Sequence, residues 1–175
     1  MRAGLLLGVV ALSLTIASVA GAQTLQPLPC KSAESTGCTA AEAPAVLLGT
    51  WELNVQKSQY SPGPPLRAES RVYRRTADGV TGVVSRTYAS GEMERYEYIA
   101  NFGGEYMVTG TPAYDAVKLT RLTELSSEAL LTHAGMIYGV ARRVIAADGR
   151  SMTITFDRKD NDHPVHNVAV YDKVN

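Results

Sequence analysis

The fold is decided most clearly by residues 136–158, which read MIYGVARRVIAADGRSMTITFDR. Two runs in which apolar and polar residues alternate, 136–146 and 152–158, lie on either side of Asp148-Gly149. Asp-Gly between two such runs is a strong signal of a β-hairpin, because both residues tolerate the positive φ that a tight turn requires. The stretch therefore predicts two antiparallel strands joined by a short turn.

The same pattern extends in both directions from this hairpin. Further strand-like runs, each bounded by turn-forming residues, are predicted at 51–55, 69–75, 80–88, 93–100, 106–109, 116–123, 129–133 and 165–173. Consecutive strands without a long crossover favour an up-and-down barrel, whose closure also removes exposed sheet edges. We therefore predict an all-β fold, a single up-and-down barrel of about 8–10 antiparallel strands.

Two segments depart from the strand pattern. Residues 57–66 contain Pro62-Gly63-Pro64-Pro65 and are predicted to form a loop across one end of the barrel. Residues 123–131 are compatible with one or two helical turns, although their apolar periodicity is poor. The rest of the domain carries almost no helix signal.

The first 22 residues have the pattern of a cleavable signal peptide. Arg2 precedes an apolar run over residues 5–19, and Ala20-Gly21-Ala22 offers the small residues that a signal peptidase accepts. The run is shorter than the roughly 20 residues that cross a bilayer. Leu28-Pro29 before Cys30 does not fit a lipid-attachment site. We expect a bacterial periplasmic or secreted protein, soluble after cleavage and without a stable membrane anchor.

Residues 23–46 are predicted to be a flexible linker, and residues 47–175 the barrel domain. The linker is rich in small and polar residues, whereas all nine tyrosines, both phenylalanines and Trp51 lie in the domain. Cys30 and Cys38 are the two cysteines of the chain, and export to an oxidising compartment would favour a disulfide between them. The linker also offers a surface to a protein partner.

The charge balance argues against nucleic acid as a partner. The chain has 17 basic and 17 acidic residues, and loss of the signal peptide removes only Arg2 from this count. A near-neutral protein has no electrostatic attraction to nucleic acid or to an anionic membrane. We expect a small hydrophobic or amphipathic molecule as the partner, and no cofactor.

Several short motifs resemble those of the lipocalin-like calycins. The likeness is greatest to a group of small secreted bacterial proteins of unknown function with such a barrel. The matching pieces are Gly49-Thr50-Trp51-x-x-Asn54, Lys57-Ser58, Ser61-Pro62-Gly63-Pro64, Tyr96-x-Tyr98, Val108-Thr109-Gly110 and Val170-Tyr171-Asp172-Lys173. The resemblance implies a barrel whose end is closed by Gly49 and Trp51, and it implies no chemistry. Fatty-acid-binding members carry a helical cap and an Arg-x-Tyr pair on the last strand, and this chain has neither.

A ligand site is predicted from tyrosines and arginines that alternate with apolar residues. Arg86-x-Tyr88, Arg121 and Tyr138-x-Val140-x-Arg142 would line an anion-tolerant lumen if these faces point inward. The predicted ligand-binding residues are Tyr88, Tyr96, Tyr98, Arg121, Tyr138 and Arg142. The alternative is that the arginines face solvent and that tyrosine is present for its β-propensity. Of the neighbours Arg142 and Arg143, one must face outward.

No catalytic or metal-binding residue is predicted. No serine lies in a Gly-x-Ser-x-Gly elbow, and His133 is either a general base or a plain wall residue. His163 and His166 would face opposite sides of a strand, which favours a turn over a metal site. Three hypotheses follow: a barrel that binds a small apolar ligand with a polar or anionic head, a non-catalytic envelope interaction module (with a protease inhibitor as a variant), and an enzyme acting on a small lipid or isoprenoid.

Overall fold

The computed structural model describes residues 43–160 and 163–174 of the chain. These residues form eleven β-strands: β1 (Gly49–Leu53), β2 (Gln59–Ser61), β3 (Ala68–Thr76), β4 (Gly79–Thr87), β5 (Met93–Ile99), β6 (Glu105–Thr109), β7 (Ala116–Arg121), β8 (Ser126–His133), β9 (Met136–Ile145), β10 (Ser151–Asp160) and β11 (His163–Val174). Two short 3-10 turns, Ala45–Leu47 and Val55–Lys57, precede β1 and β2. The predicted signal peptide, most of the predicted linker and the predicted Cys30–Cys38 disulfide lie outside the described residues.

Every strand pair is antiparallel, and the sheet closes on itself. Each strand from β3 to β10 pairs with the next one along the chain, while β1 pairs with both β3 and β11. Ten strands therefore form a closed barrel, and β2 is added to the outside edge of β11. The predicted all-β, up-and-down barrel is confirmed.

One end of the barrel is filled by Trp51. Its side chain is fully buried, and the indole Nε1 donates a hydrogen bond of 2.8 Å to the carbonyl oxygen of Leu47. The ammonium of Lys173 lies 4.9 Å from the centroid of the indole ring and donates to the carbonyl of Val46. We call this the tryptophan end; the turns at 77–78, 122–125 and 146–150 belong to it because successive hairpin turns alternate between ends.

The opposite end, the far end, carries the turns at 88–92, 110–115 and 134–135 together with β2. The predicted loop 57–66 crosses this end, but three of its residues form β2. The proline-rich sequence of the loop did not indicate this strand. Residues 123–131, whose sequence was compatible with helical turns, fall mostly within β8. Tertiary pairing with β7 and β9 decides this, because an isolated run of poor periodicity specifies neither state.

The packed part of the chain begins before the predicted domain boundary at residue 47. Ala43 is buried, and Val46 packs against the core that contains Leu47 and Trp51. Residues 43–46, assigned to the linker, therefore belong to the barrel. Within the described residues no helix is long and apolar enough to span a membrane.

Candidate functional site

The barrel encloses a cavity of about 290 Å³ between the core at the tryptophan end and the far end. Its walls combine aromatic rings with charged side chains. Of the described residues, four arginines and one glutamate line it: Arg71, Arg86, Arg143, Arg158 and Glu69. Isolated charges are costly to bury, so the partners of each group determine what the cavity can bind.

Glu69 is the centre of a buried ionic network. Its Oε1 accepts hydrogen bonds of 2.6 Å from Arg71 Nε and from the Tyr171 hydroxyl. Its Oε2 lies 3.0 Å from Arg86 Nε, a close ion-pair contact without the alignment of a hydrogen bond. The alternation along β3 and the cross-strand pairing of Glu69 with Arg86 bring these groups to one inward face. Glu69 thus compensates two of the cavity's arginines.

The carboxylate of Glu69 is held in its ionised form. Burial by itself would raise its pKa, but the attraction of Arg71 and Arg86 and the hydrogen bond from Tyr171 outweigh burial and lower the pKa below its ordinary value. A carboxylate that is ionised and surrounded by donors is a poor proton acceptor. The network therefore holds two guanidinium groups in place and does not supply a general base.

Arg86 extends the network towards the far end. Its Nη2 donates a 2.5 Å hydrogen bond to the Tyr96 hydroxyl, and its Cζ lies 4.9 Å from the centroid of that ring. Its Nη1 is 3.6 Å from Glu94, which lies opposite it on β5. The Tyr88 hydroxyl also donates to Glu94, and burial followed by this bond raises the pKa of Tyr88 to about 12. Tyr88 is therefore a neutral phenol near neutral pH.

One wall of the cavity is a row of aromatic rings. Tyr114 contacts Tyr96 edge-on, with the ring centroids 5.7 Å apart, and Tyr138 at 5.5 Å. Tyr138 in turn lies 6.1 Å from Phe156, and Arg158 lies over its ring and donates to its hydroxyl. Such a row offers a continuous apolar face to a ring or short chain.

The floor of the cavity lies towards the tryptophan end. The hydroxyls of Tyr73 and Tyr98 are 3.1 Å apart, and both rings pack over Gly82, which pairs with each of them across the sheet. Arg143 lies beside them, with its Cζ 5.7 Å from the centroid of the Tyr73 ring. Ser127 is the direct cross-strand neighbour of Arg143 and is also buried.

The Tyr60 hydroxyl and the Arg143 guanidinium are polar groups of the cavity without a hydrogen-bond partner among the described residues. The hydroxyl oxygen of Tyr60 is buried without one, and burial, followed by the charge of Glu69, raises its pKa to about 12. Arg143 is 7% exposed, and within residues 43–160 and 163–174 its guanidinium has no carboxylate or hydrogen-bond acceptor. Buried polar groups are paired in most proteins, so these two indicate where a ligand or water would bind.

The structure brings four of the six predicted ligand-binding residues together. Tyr88, Tyr96, Tyr98 and Tyr138 all line the cavity. Their role in binding remains a prediction.

The predicted inward orientation of Arg121 and Arg142 is wrong. Arg121 forms an exposed ion pair with Glu124, and Arg142 forms one with Glu128, with 65% of its side chain exposed. For Arg142 the cause is a β-bulge in β9. Leu131 pairs with Gly139 and Thr132 with Ile137, so Tyr138 is an extra residue between them. The bulge breaks strict alternation, and Tyr138 and Arg143 both face the cavity.

Sequence reasoning missed most of the charged lining. Glu69-x-Arg71-x-Tyr73 has the period of two that places all three side chains on one face of β3. That signal was present, but charged residues at alternate positions normally indicate the solvent face. Tyr60 and Tyr114 lie outside the long alternating runs, and no sequence signal marks them as cavity residues.

The groups considered for catalysis or metal binding are elsewhere. His133 is exposed at the end of β8 and does not line the cavity. His166 is exposed and contacts Asp157 across the sheet, with 2.6 Å between Nδ1 and Oδ1. In the part of the chain that the structure describes, no three His, Cys, Asp or Glu side chains are grouped to hold a metal ion.

The chain matches no family model, no curated protein and no solved structure.

Proposed function

We propose that this barrel binds a small ligand with an apolar, ring-sized body and an anionic head. The observation that carries the proposal is the 290 Å³ cavity, whose lining combines an aromatic wall with buried arginines. Small-molecule sites have this composition: a mostly apolar surface with a few placed polar groups.

The volume of the cavity limits the size of the ligand. Pockets for small molecules span roughly 300–1,000 Å³, so this cavity is at the small end of the range. It suits one ring with a short side chain better than a long fatty acid. This agrees with the absence of an Arg-x-Tyr pair from the last strand, where His166 and Val168 stand instead.

The polar lining is held in place before any ligand binds. Glu69 fixes Arg71 and Arg86, and Tyr96 fixes the other end of Arg86. Side chains that are already ordered lose little conformational entropy on binding, which favours affinity. A flexible arginine at the surface would lack this advantage.

The cavity also bears on the other hypotheses. A filled barrel would favour an interaction module, whereas a hollow one favours binding. An enzyme lacks support, because His133, Arg121 and Arg142 do not line the cavity and Glu69 is a poor base. In this proposal residues 1–22 direct export, the barrel acts as a lipocalin-like carrier in the periplasm or outside the cell, and the linker is secondary to binding.

The test is calorimetric titration of the mature protein with 3-phenylpropionate and with its alcohol, 3-phenylpropanol, alongside native mass spectrometry of protein from its own host. We expect saturable binding of at least one probe, with one molecule per barrel. Ala141→Phe, which fills the cavity from β9, should abolish it. Val140→Phe is the matched control, because Val140 is the adjacent residue and does not line the cavity.

Two results would contradict the proposal. One is the lack of saturable binding by either probe together with no co-purifying ligand. The other is binding that Ala141→Phe leaves unchanged while circular dichroism reports a folded variant.

A further inference from the structure

Among the described residues, no acidic side chain compensates the charge of Arg143, a cavity arginine. Arg71 and Arg86 both contact Glu69, and Arg86 also bonds to Tyr96. The Cζ of Arg143 lies 5.7 Å from the centroid of the Tyr73 ring, and among the described residues the guanidinium has no ion-pair or hydrogen-bond partner. A guanidinium has five N–H donors, so its bonding capacity remains open to the cavity.

The position of Arg143 is determined by the sheet. It pairs with Ser127 on β8 and with Ile154 on β10, and its side chain is 7% exposed. An unpaired buried cation is strongly unfavourable, so a protein without a use for it would gain stability from an apolar residue at this position. The neighbouring Arg142, on the outer face, is paired with Glu128.

We propose that the cavity floor, formed by Arg143, Ser127 and the hydroxyls of Tyr73 and Tyr98, binds the carboxylate of the ligand. This inference rests on the proposed function and assigns the head group to one place. A carboxylate accepts two parallel hydrogen bonds from a guanidinium, in the geometry that makes such pairs strong. One uncompensated guanidinium matches a single negative charge, which favours a monocarboxylate over a dianionic phosphate.

A carboxylate site at the floor determines the orientation of the bound ligand. With its carboxylate at the floor, the apolar body lies along the row formed by Tyr96, Tyr114, Tyr138 and Phe156 towards the far end. The hydroxyl of Tyr60, also without a partner among the described residues, lies in the same cavity and offers a hydrogen bond to a second polar group on the ligand.

The test compares 3-phenylpropionate with 3-phenylpropanol on the intact mature protein, on Arg143→Gln and on Arg142→Gln. We expect the acid to bind the natural protein more tightly than the alcohol. Arg143→Gln should weaken binding of the acid by about 10- to 100-fold and binding of the alcohol much less, since only the acid loses a charge-assisted pair. Arg142→Gln should change neither affinity.

A second readout separates binding from a structural role. Because no described acidic residue pairs with Arg143, Arg143→Gln and Arg143→Met should keep or raise the thermal midpoint. The acid should raise the midpoint of the natural protein but not that of Arg143→Met. A large fall in the midpoint of both variants would assign Arg143 a structural role and overturn the inference.

The outcomes also separate this inference from the proposed function. If both probes bind and Arg143→Gln weakens neither, the barrel binds ligands but the floor is not the carboxylate site. If the variant weakens acid and alcohol equally, the arginine shapes the cavity and does not recognise charge. If neither probe binds the natural protein and no ligand co-purifies, the proposed function itself fails.

Discussion

Glu69 shows how one buried side chain can order the polar lining of a cavity. It is 2% exposed, and three donors from β3, β4 and β11 converge on its two oxygens. A buried carboxylate is tolerated only with such compensation. Removal of the Glu69 carboxylate therefore lowers stability, because Arg71 and Arg86 stay buried without their anionic partner.

We predict that Glu69→Gln lowers the free energy of unfolding by about 3–5 kcal/mol, because Arg71 and Arg86 lose their anionic partner while remaining buried. Urea denaturation monitored by circular dichroism measures this loss of unfolding free energy. The matched control is Glu128→Gln, which breaks the exposed pair with Arg142 and should cost less than about 1 kcal/mol. Equal losses in the two variants would contradict the central role of Glu69.

The same carboxyl contributes to acid sensitivity. Its pKa is lower in the folded protein than in the unfolded chain, so its stabilising effect is present above the unfolded value of about 4.3. That contribution is lost as the pH falls through the folded pKa. Between pH 7 and pH 3 the natural protein should therefore lose more stability than Glu69→Gln does; parallel curves for the two proteins would count against this assignment.

At the scale of single elements, β4 and β9 shape the cavity through departures from regular packing. The β-bulge in β9 turns Tyr138 inward beside Gly139, whose hydrogen leaves room for the Phe156 ring. On β4, a Cβ at Gly82 would lie 2.9 Å from Cε1 of Tyr73 and 3.1 Å from Cζ of Tyr98. Both strands thus accommodate aromatic rings by omitting a side chain.

We predict that Gly82→Ala displaces the two floor tyrosines and costs about 1–3 kcal/mol in unfolding free energy, as overpacking of a core does. Near-ultraviolet circular dichroism should report the altered ring environment. Ser85→Ala on the same strand is the control, since it removes only a 3.3 Å contact with Arg95 and should change stability by less than about 0.5 kcal/mol. An unchanged tyrosine signal in Gly82→Ala would refute the packing argument.

At the scale of the whole molecule, the barrel divides into a solid half and a hollow half. Leu47, Trp51 and Met152 belong to the fully packed region at the tryptophan end, and none of them lines the cavity. The packed core and the cavity thereby occupy different parts of one sheet. A substitution at the tryptophan end should change the stability of the protein and leave its affinity for a cavity ligand unchanged.

We predict that Trp51→Phe lowers the unfolding free energy by about 1–3 kcal/mol, because it removes the indole hydrogen bond to Leu47 and part of the ring volume. Its affinity for 3-phenylpropionate should equal that of the natural protein. Leu122→Ala, at the same end but 55% exposed, should be close to neutral. Loss of binding in a folded Trp51→Phe protein would show that the two halves are coupled.

The amino-acid sequence by itself determined most of the strands, the hairpin order and the barrel class, but not β2. Alternation of period two and turn residues such as Asp148-Gly149 are local signals, and consecutive hairpins leave few topologies. Tyr96 and Tyr98 lie at alternate positions of the regular strand β5, and Tyr88 directly follows β4; all three line the cavity.

The tertiary structure decided the polar lining of the site. Because of the bulge in β9, Arg143 and not Arg142 faces inward. Tyr171 on β11 reaches Glu69 on β3 only because β1 pairs with both of these strands and closes the barrel. A hydrogen bond between residues 102 apart in the chain has no local signature. Which charges face inward depends on long-range partners that compensate their burial, and these exist only once the barrel has closed.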